Sequence, residues 1–255
     1  MNILVLGNGF VGKPLAEFLG ADTTEKRIED ITEYDLEEYD VVINTVAKTS
    51  IDWCEKNRLE TFNVNVVQAA RLAPLVQGKY VFFSSACIFK TETDEVNYED
   101  SFPQPQCFYT YTKLMAEKLI EEIRPDALII RPRLLISEKS HPRNTIDKLL
   151  KYTHIITSQE SATILEDLLP KVKELIDAKE EGAFNVFNRG TISPSEIMDI
   201  FKHTHYKITK KELDGRMIGK ARRVSTILGS IRTQPLPEIR GRIKEIAATW
   251  HIDSE

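Results

Sequence analysis

The sequence predicts an α/β protein, a Rossmann-like doubly wound parallel sheet with a small C-terminal substrate-binding lobe. Three observations predict it. Short, nearly continuous apolar runs recur as "NILVLG", "DVVINTV", "KYVFFSS" and "DALIIRP", the pattern of strands covered on both faces. Helix-period segments alternate with them at 10–20, 58–73 and 110–123, and strand followed by helix, repeated, builds a parallel sheet. A glycine-rich turn, "GNGFVG", joins the first strand to the first helix.

That turn is the first element with chemistry in it. Gly7 permits a tight bend, Gly9 lets the backbone approach a pyrophosphate, and Gly12 lets helix and strand pack closely, with Phe10 and Val11 between them. The following helix N-terminus then faces the phosphates of a dinucleotide. The second strand, around "ADTTEKRIEDI", has almost no apolar run. Asp30 is a candidate contact to the adenine of a cofactor, and Arg27 or Lys26 a candidate partner for a 2'-phosphate. This leaves NADP or NAD open, with NADP(H) favoured over NAD(H).

After Pro132 the texture changes to a polar stretch, "SEKSHPRN", and then the amphipathic "TIDKLLKYTHI". Helix, strand and a capped helix follow, the last with Ser193 as N-cap and Glu196 three residues on. The expected division is an NAD(P)-binding domain over 1–135 and a substrate-binding lobe over 136–255, with segments of the lobe returning to the sheet. A chain of 255 residues, 42% hydrophobic, can bury a substantial core. The formal charge of -5 argues against a nucleic-acid-binding surface. Cys54, Cys87 and Cys107 fit neither a disulfide framework nor a zinc spacing, so no metal is expected. No apolar run approaches the roughly 20 residues of a membrane span. A cytoplasmic setting is expected, without signal peptide or membrane contact.

"CFYTYTKLMAEKL" places Tyr109 and Lys113 four residues apart, on one helix face, whereas Tyr111 and Lys113 diverge. A phenol is a poor acid–base group at neutral pH, and a nearby ammonium is expected to bring its pKa down. Ser85 lies at the end of the "KYVFFSS" strand, where its hydroxyl could hold a substrate carbonyl beside Tyr109.

With "GNGFVG", "INTVA", "NVNVVQAARLA", the strand-end serine and the YxxxK pair in place, the chain resembles the extended short-chain dehydrogenase/reductases that act on nucleotide sugars, of the dTDP-4-dehydrorhamnose reductase type. The resemblance implies a Ser85, Tyr109 and Lys113 triad, with Lys113 also holding the nicotinamide ribose and Asn65 supporting that lysine. It places Asn44 and Ala47 along the cofactor groove. "IDWCEKNRLETFNVNV", "ACIFK", "RPRLLIS" and "HPRNTIDKLLKY" resemble more closely the plant-type nucleotide-rhamnose synthase, a bifunctional 3,5-epimerase/4-reductase. From that likeness follow Cys87 and Lys148 as the epimerisation pair, and Arg143 and Asn144 as substrate contacts. Arg223, in the basic stretch 202–223, is a further candidate for substrate phosphate, which suits the arginine fork.

The chemistry gives those groups a purpose. A ketone at C4 acidifies the protons on C3 and C5, so inversion needs an acid and a base about the ring, and a thiol near a cation is suited to such work. The expected activity is conversion of a dTDP- or UDP-4-keto-6-deoxy-D-glucose to the L-rhamnose nucleotide with NADPH. A reductase with an inert Cys87, and a non-catalytic cofactor-binding regulatory subunit, are the alternatives. A homodimer through the 58–73 and 110–123 helices is expected from the fold.

Overall fold

The structure, a computed structural model, describes residues 1–91, 95–216 and 221–250. Residues 217–220 of the basic stretch therefore lie outside the described residues.

Six strands form one parallel sheet: β1 (Ile3–Leu6), β2 (Asp22–Thr23), β3 (Val41–Asn44), β4 (Lys79–Phe83), β5 (Leu128–Pro132) and a sixth strand, Gly182–Val186. Their spatial order is β2-β1-β3-β4-β5 and then the sixth strand. Every residue of β1, β3 and β5 is buried, because each side chain meets a covered face. Alternate side chains serve two cores. Val5, Ile43, Val81 and Ile130 pack with Leu168, Val172 and Leu175 of the Leu165–Asp177 helix. Leu4, Val42, Phe82 and Ile129 pack on the opposite side with Leu72, Ala116 and Ile120. A third core, including Ile136, Ile146, Ile192, Ile197 and Ile239, belongs to the C-terminal lobe.

The strand order reverses at β1, with β2 on one side and β3 on the other, and in open parallel sheets ligands bind beyond the C-terminal strand ends at such a reversal. The glycine turn, the 45–48 loop, Ser85 and Arg133 directly follow β1, β3, β4 and β5 or lie within two residues of them.

Three segments differ from the simplest sequence reading. β2 has two residues, both exposed, since it lacks the apolar run that two covered faces require. Two 3-10 turns replace its continuation, Ile28–Asp30 and Glu33–Asp35, and Arg71 pins the first by donating to the carbonyls of Ile28 at 2.7 Å and Ile31 at 2.9 Å. The expected 58–73 helix is interrupted by a π-helical stretch, Asn63–Gln68. The "TIDKLLKYTHI" helix ends at Leu149, and His154–Ile156 instead pairs as a strand with Tyr206–Ile208. Its β-branched Ile155 and Ile156 favour that extended form. The Ser193 cap is reciprocal: its hydroxyl accepts from the Glu196 N–H while the Glu196 carboxylate accepts from the Ser193 N–H. No helix among the described residues is long and apolar enough to cross a membrane.

Candidate active site

The glycine turn is closed by contacts that leave no room for side chains. Gly7 has φ +98°, in the left-handed region, and a Cβ on Gly12 would lie 1.8 Å from the Gly7 carbonyl oxygen. Thr45 locks this turn to β3, donating its hydroxyl to the Leu6 carbonyl at 2.8 Å. Gly9 differs: a Cβ there would meet only the Arg143 guanidinium, at 3.6 Å. Phe10 is buried and stacks on His141 with centroids 4.9 Å apart. The turn thus has an open backbone face, a helix N-terminus behind it and an arginine beside it, which suits a diphosphate.

The loop after β3 is held at both ends. Asn44 accepts from the Val46 N–H at 3.0 Å. Asn65 accepts from the Lys48 N–H at 2.8 Å and donates to the Lys48 carbonyl at 3.0 Å. Ala47 is suspended between them. The Asn65 amide also donates to the Thr112 hydroxyl at 3.1 Å, and Thr112 donates to the Tyr109 carbonyl at 2.7 Å. Asn65 therefore ties the loop to the helix carrying Tyr109; its side chain bonds to Lys48 and Thr112 and not to Lys113, so any support it gives that lysine runs through the helix backbone.

That helix, Phe108–Ile123, buries Lys113, Ala116, Glu117 and Ile120, an i, i+3, i+4, i+7 face turned to the sheet. Tyr111 is half exposed on another face. The Lys113 ammonium donates to the Phe83 carbonyl at 2.6 Å and sits 4.2 Å from the Phe82 ring centroid. Burial brings its pKa down to about 7, with Glu117 opposing. The Tyr109 phenol moves the other way. Burial and then Cys87 push its pKa above the ordinary value, and a hydrogen bond with the Ser85 side chain pulls it back in part. The expected lowering by an ammonium does not occur, because Lys113 is itself desolvated and committed to Phe83. A phenol held this way keeps its proton at neutral pH.

Ser85 is buried and caps the short turn Ala86–Ile88, its hydroxyl accepting from the Cys87 N–H at 3.2 Å. Cys87 is partly buried, and its sulfur accepts from Arg133 at 3.2 Å. Arg133 did not figure among the sequence candidates. Its partners lie 46, 27 and 91 residues away, so no local motif marks it.

Other candidates fall elsewhere. Asn144 is fully buried: it accepts from the Ile146 and Ser137 N–H groups and donates to the carbonyls of Ser137 and Lys139, both at 2.9 Å. All its polar atoms serve this loop, which corrects its assignment to substrate. Arg143 places its guanidinium beside Gly9 of the glycine turn. Lys148 has Arg143 as its charged neighbour, and burial and then Arg143 hold its amine below the usual value. Arg223 is paired with Asp52 at 2.9 Å. Arg27, the candidate for a 2'-phosphate, is exposed and paired with Glu29 at 2.5 Å, and Asp30, the candidate for the adenine, ends a 3-10 turn seven residues beyond β2.

Known proteins are similar to this chain in sequence and in fold. An Arabidopsis thaliana trifunctional UDP-glucose 4,6-dehydratase/UDP-4-keto-6-deoxy-D-glucose 3,5-epimerase/UDP-4-keto-L-rhamnose-reductase is 31% identical over 172 residues, covering 61% of this chain and 25% of that protein. The chain thus spans about a quarter of that relative's length. The crystal structure of a UDP-rhamnose synthase from Acanthamoeba polyphaga mimivirus superposes with TM-score 0.89 at 23% identity, covering 98% of this chain and 99% of that one. A dTDP-4-dehydrorhamnose reductase from Bacillus anthracis, solved in complex with NADP, has TM-score 0.81 at 18% identity, covering 98% and 99%. The family described as RmlD substrate binding domain matches residues 1–169 of the 255, and the chain belongs to that family.

Proposed function

We propose that this chain reduces the C4 ketone of a nucleotide-linked 4-keto-6-deoxy sugar with NADPH in preference to NADH. We further propose that it first epimerises C3 and C5, so that dTDP- or UDP-4-keto-6-deoxy-D-glucose becomes the L-rhamnose nucleotide. One observation carries the reading: Ser85 and Cys87 both act on the Tyr109 phenol at the end of β4. The relatives named for rhamnose-nucleotide synthesis and reduction support it.

The cofactor's diphosphate belongs over Gly9 beside Arg143, and its nicotinamide ribose belongs to Lys113. When bound, a reduced nicotinamide supplies hydride for C4. Ser85 donates a hydrogen bond to the C4 carbonyl oxygen. Tyr109, whose burial keeps its proton in place, gives that proton to the developing alkoxide. Before reduction, Cys87 and Lys148 handle the C3 and C5 protons, and burial and then Arg143 hold the Lys148 amine below its usual value, which makes it a readier base than an exposed lysine. Arg223, once released from Asp52, is placed to meet substrate phosphate. Exposed Leu59, Val67, Leu119 and Ile123 support a homodimer through the 58–73 and 110–123 segments, which light scattering tests, and the setting we propose is the cytoplasm.

The test is a matrix of dTDP- and UDP-4-keto-6-deoxyglucose with NADPH and NADH, products identified by NMR. The L-rhamnose nucleotide with faster NADPH oxidation is expected, and no turnover of either sugar nucleotide refutes the proposal. In deuterated water without reduced cofactor, deuterium at C3 and C5 marks the epimerase; its absence leaves a reductase alone.

A further inference from the structure

Arg133 stands one residue beyond β5 with its side chain 8% exposed. One arm of its guanidinium, Nη1, donates to the Cys87 sulfur at 3.2 Å. The other, Nη2, donates to the Glu160 carboxylate and to the Val224 carbonyl at 2.7 Å. Its Nε–H is buried without a hydrogen-bond partner among the described residues. Glu160 is 3% exposed and comes from the lobe.

A purely structural role accounts for half of this arrangement. The Nη2 contacts stitch the lobe and the 221–228 segment to the sheet, and such buried pairs are common scaffolding. They do not account for the other arm. A guanidinium is built to grip pairs of oxygens, yet here the free arm is turned to a sulfur, which lies beside the Tyr109 phenol. Tyr109 also feels the same guanidinium. The buried, unpaired Nε–H is a second sign that orientation, and not full hydrogen bonding, governs how this side chain sits.

We propose that Arg133 is a positioning residue of the epimerisation step: Glu160 and Val224 fix its guanidinium, and the guanidinium fixes the Cys87 sulfur toward the sugar. The inference rests on the reading of Cys87 as an epimerisation group. It assigns no proton transfer to Arg133 itself. A fixed sulfur matters because proton transfer at carbon tolerates little misplacement of the accepting atom. The lobe is thereby tied to the sulfur, since Glu160 comes from the lobe and Cys87 from the turn after β4.

The experiment compares wild type with Cys87→Ser, Arg133→Lys and the paired variant Arg133→Gln/Glu160→Gln, which leaves no unmatched buried charge. Two quantities are read: deuterium entering C3 and C5 of dTDP- and UDP-4-keto-6-deoxyglucose without reduced cofactor, and the rate of Cys87 alkylation by iodoacetamide, followed on its own peptide. Thermal unfolding reports whether each variant is folded. The paired variant is expected to lose roughly tenfold or more in exchange, and to show an altered Cys87 alkylation rate; Arg133→Lys, which restores a cation but not the fork, is expected to fall between. A folded paired variant with wild-type exchange and alkylation, alongside a dead Cys87→Ser, overturns this inference and leaves the epimerase reading intact. Wild-type exchange in Cys87→Ser overturns the epimerase reading and this inference with it. If the paired variant unfolds, Arg133→Lys decides alone: both rates at wild-type values overturn the proposal, and reduced exchange with altered alkylation supports it.

Discussion

Lys113 and Arg133 are both buried cations near Tyr109, yet their surroundings differ in kind. Lys113, on the helix side, meets a neutral carbonyl and an aromatic ring. Arg133, on the lobe side, meets a buried carboxylate, Glu160. Burial dominates the first and brings its pKa to about 7. For Arg133, burial works against the charge, but Cys87 and Glu160 outweigh it and hold the guanidinium above its usual value. The contrast teaches that one cation can exchange its proton near neutrality while the other is fixed in charge. The proposed chemistry, which both moves protons and needs a sulfur held in place, would use each.

The largest effect expected is catalytic. Tyr109→Phe removes the acid that the helix side holds ready, and NADPH oxidation is expected to fall by roughly 10²- to 10⁴-fold; a variant within tenfold of wild type would place the acid elsewhere. Next comes stability on the lobe side. Arg133→Met strands the buried Glu160 carboxylate and is expected to cost about 3–5 kcal/mol in urea unfolding, whereas Arg133→Met/Glu160→Leu recovers most of the loss. If the single and double variants unfold alike, the pair holds nothing together.

The comparison sharpens with pH. Lys113 has a folded pKa near 7 against a reference of 10.5, so between those values the unfolded chain binds the extra proton and stability rises with pH. Below about 7 both states are charged and the burial penalty is fully present. Wild type measured against Lys113→Met should therefore gain stability from pH 7 toward pH 10, by at most about 1.4 kcal/mol per pH unit. A flat difference would mean the ammonium is solvated. Smallest is the effect of Gly9→Ala. A Cβ there makes only ordinary contact with Arg143, so the fold should stay intact while NADPH affinity, followed by fluorescence, falls roughly tenfold. Gly12→Ala, by contrast, should disrupt the turn itself.

Much of the scaffold was legible because its signals are local. The four apolar runs carry their own evidence of two-sided burial, and the Ser193 and Glu196 spacing announced a helix start that the hydrogen bonds then close. Gly7 and Gly12 read correctly for the same reason, each meeting neighbours within the turn or the adjoining loop. What escaped is non-local. Asn144 sits in a polar stretch that reads as exposed loop, and only the fold reveals that it ties that loop from within. Arg133 looks like one residue among several in "RPRLLIS", since its partners come from three distant segments. The direction of the Tyr109 shift also could not be read from Tyr–Lys spacing, because it depends on how deeply the whole site is covered.

The sixth strand carries a practical lesson for anyone dissecting this protein. Gly182–Val186 pairs along the full length of β5, so the sheet is completed by the latter half of the chain. A fragment ending near residue 135 would bare the whole hydrogen-bonding rim of Leu128–Pro132, an adhesive border that invites other chains to stack. Severed halves should precipitate when produced alone and recover solubility when produced together.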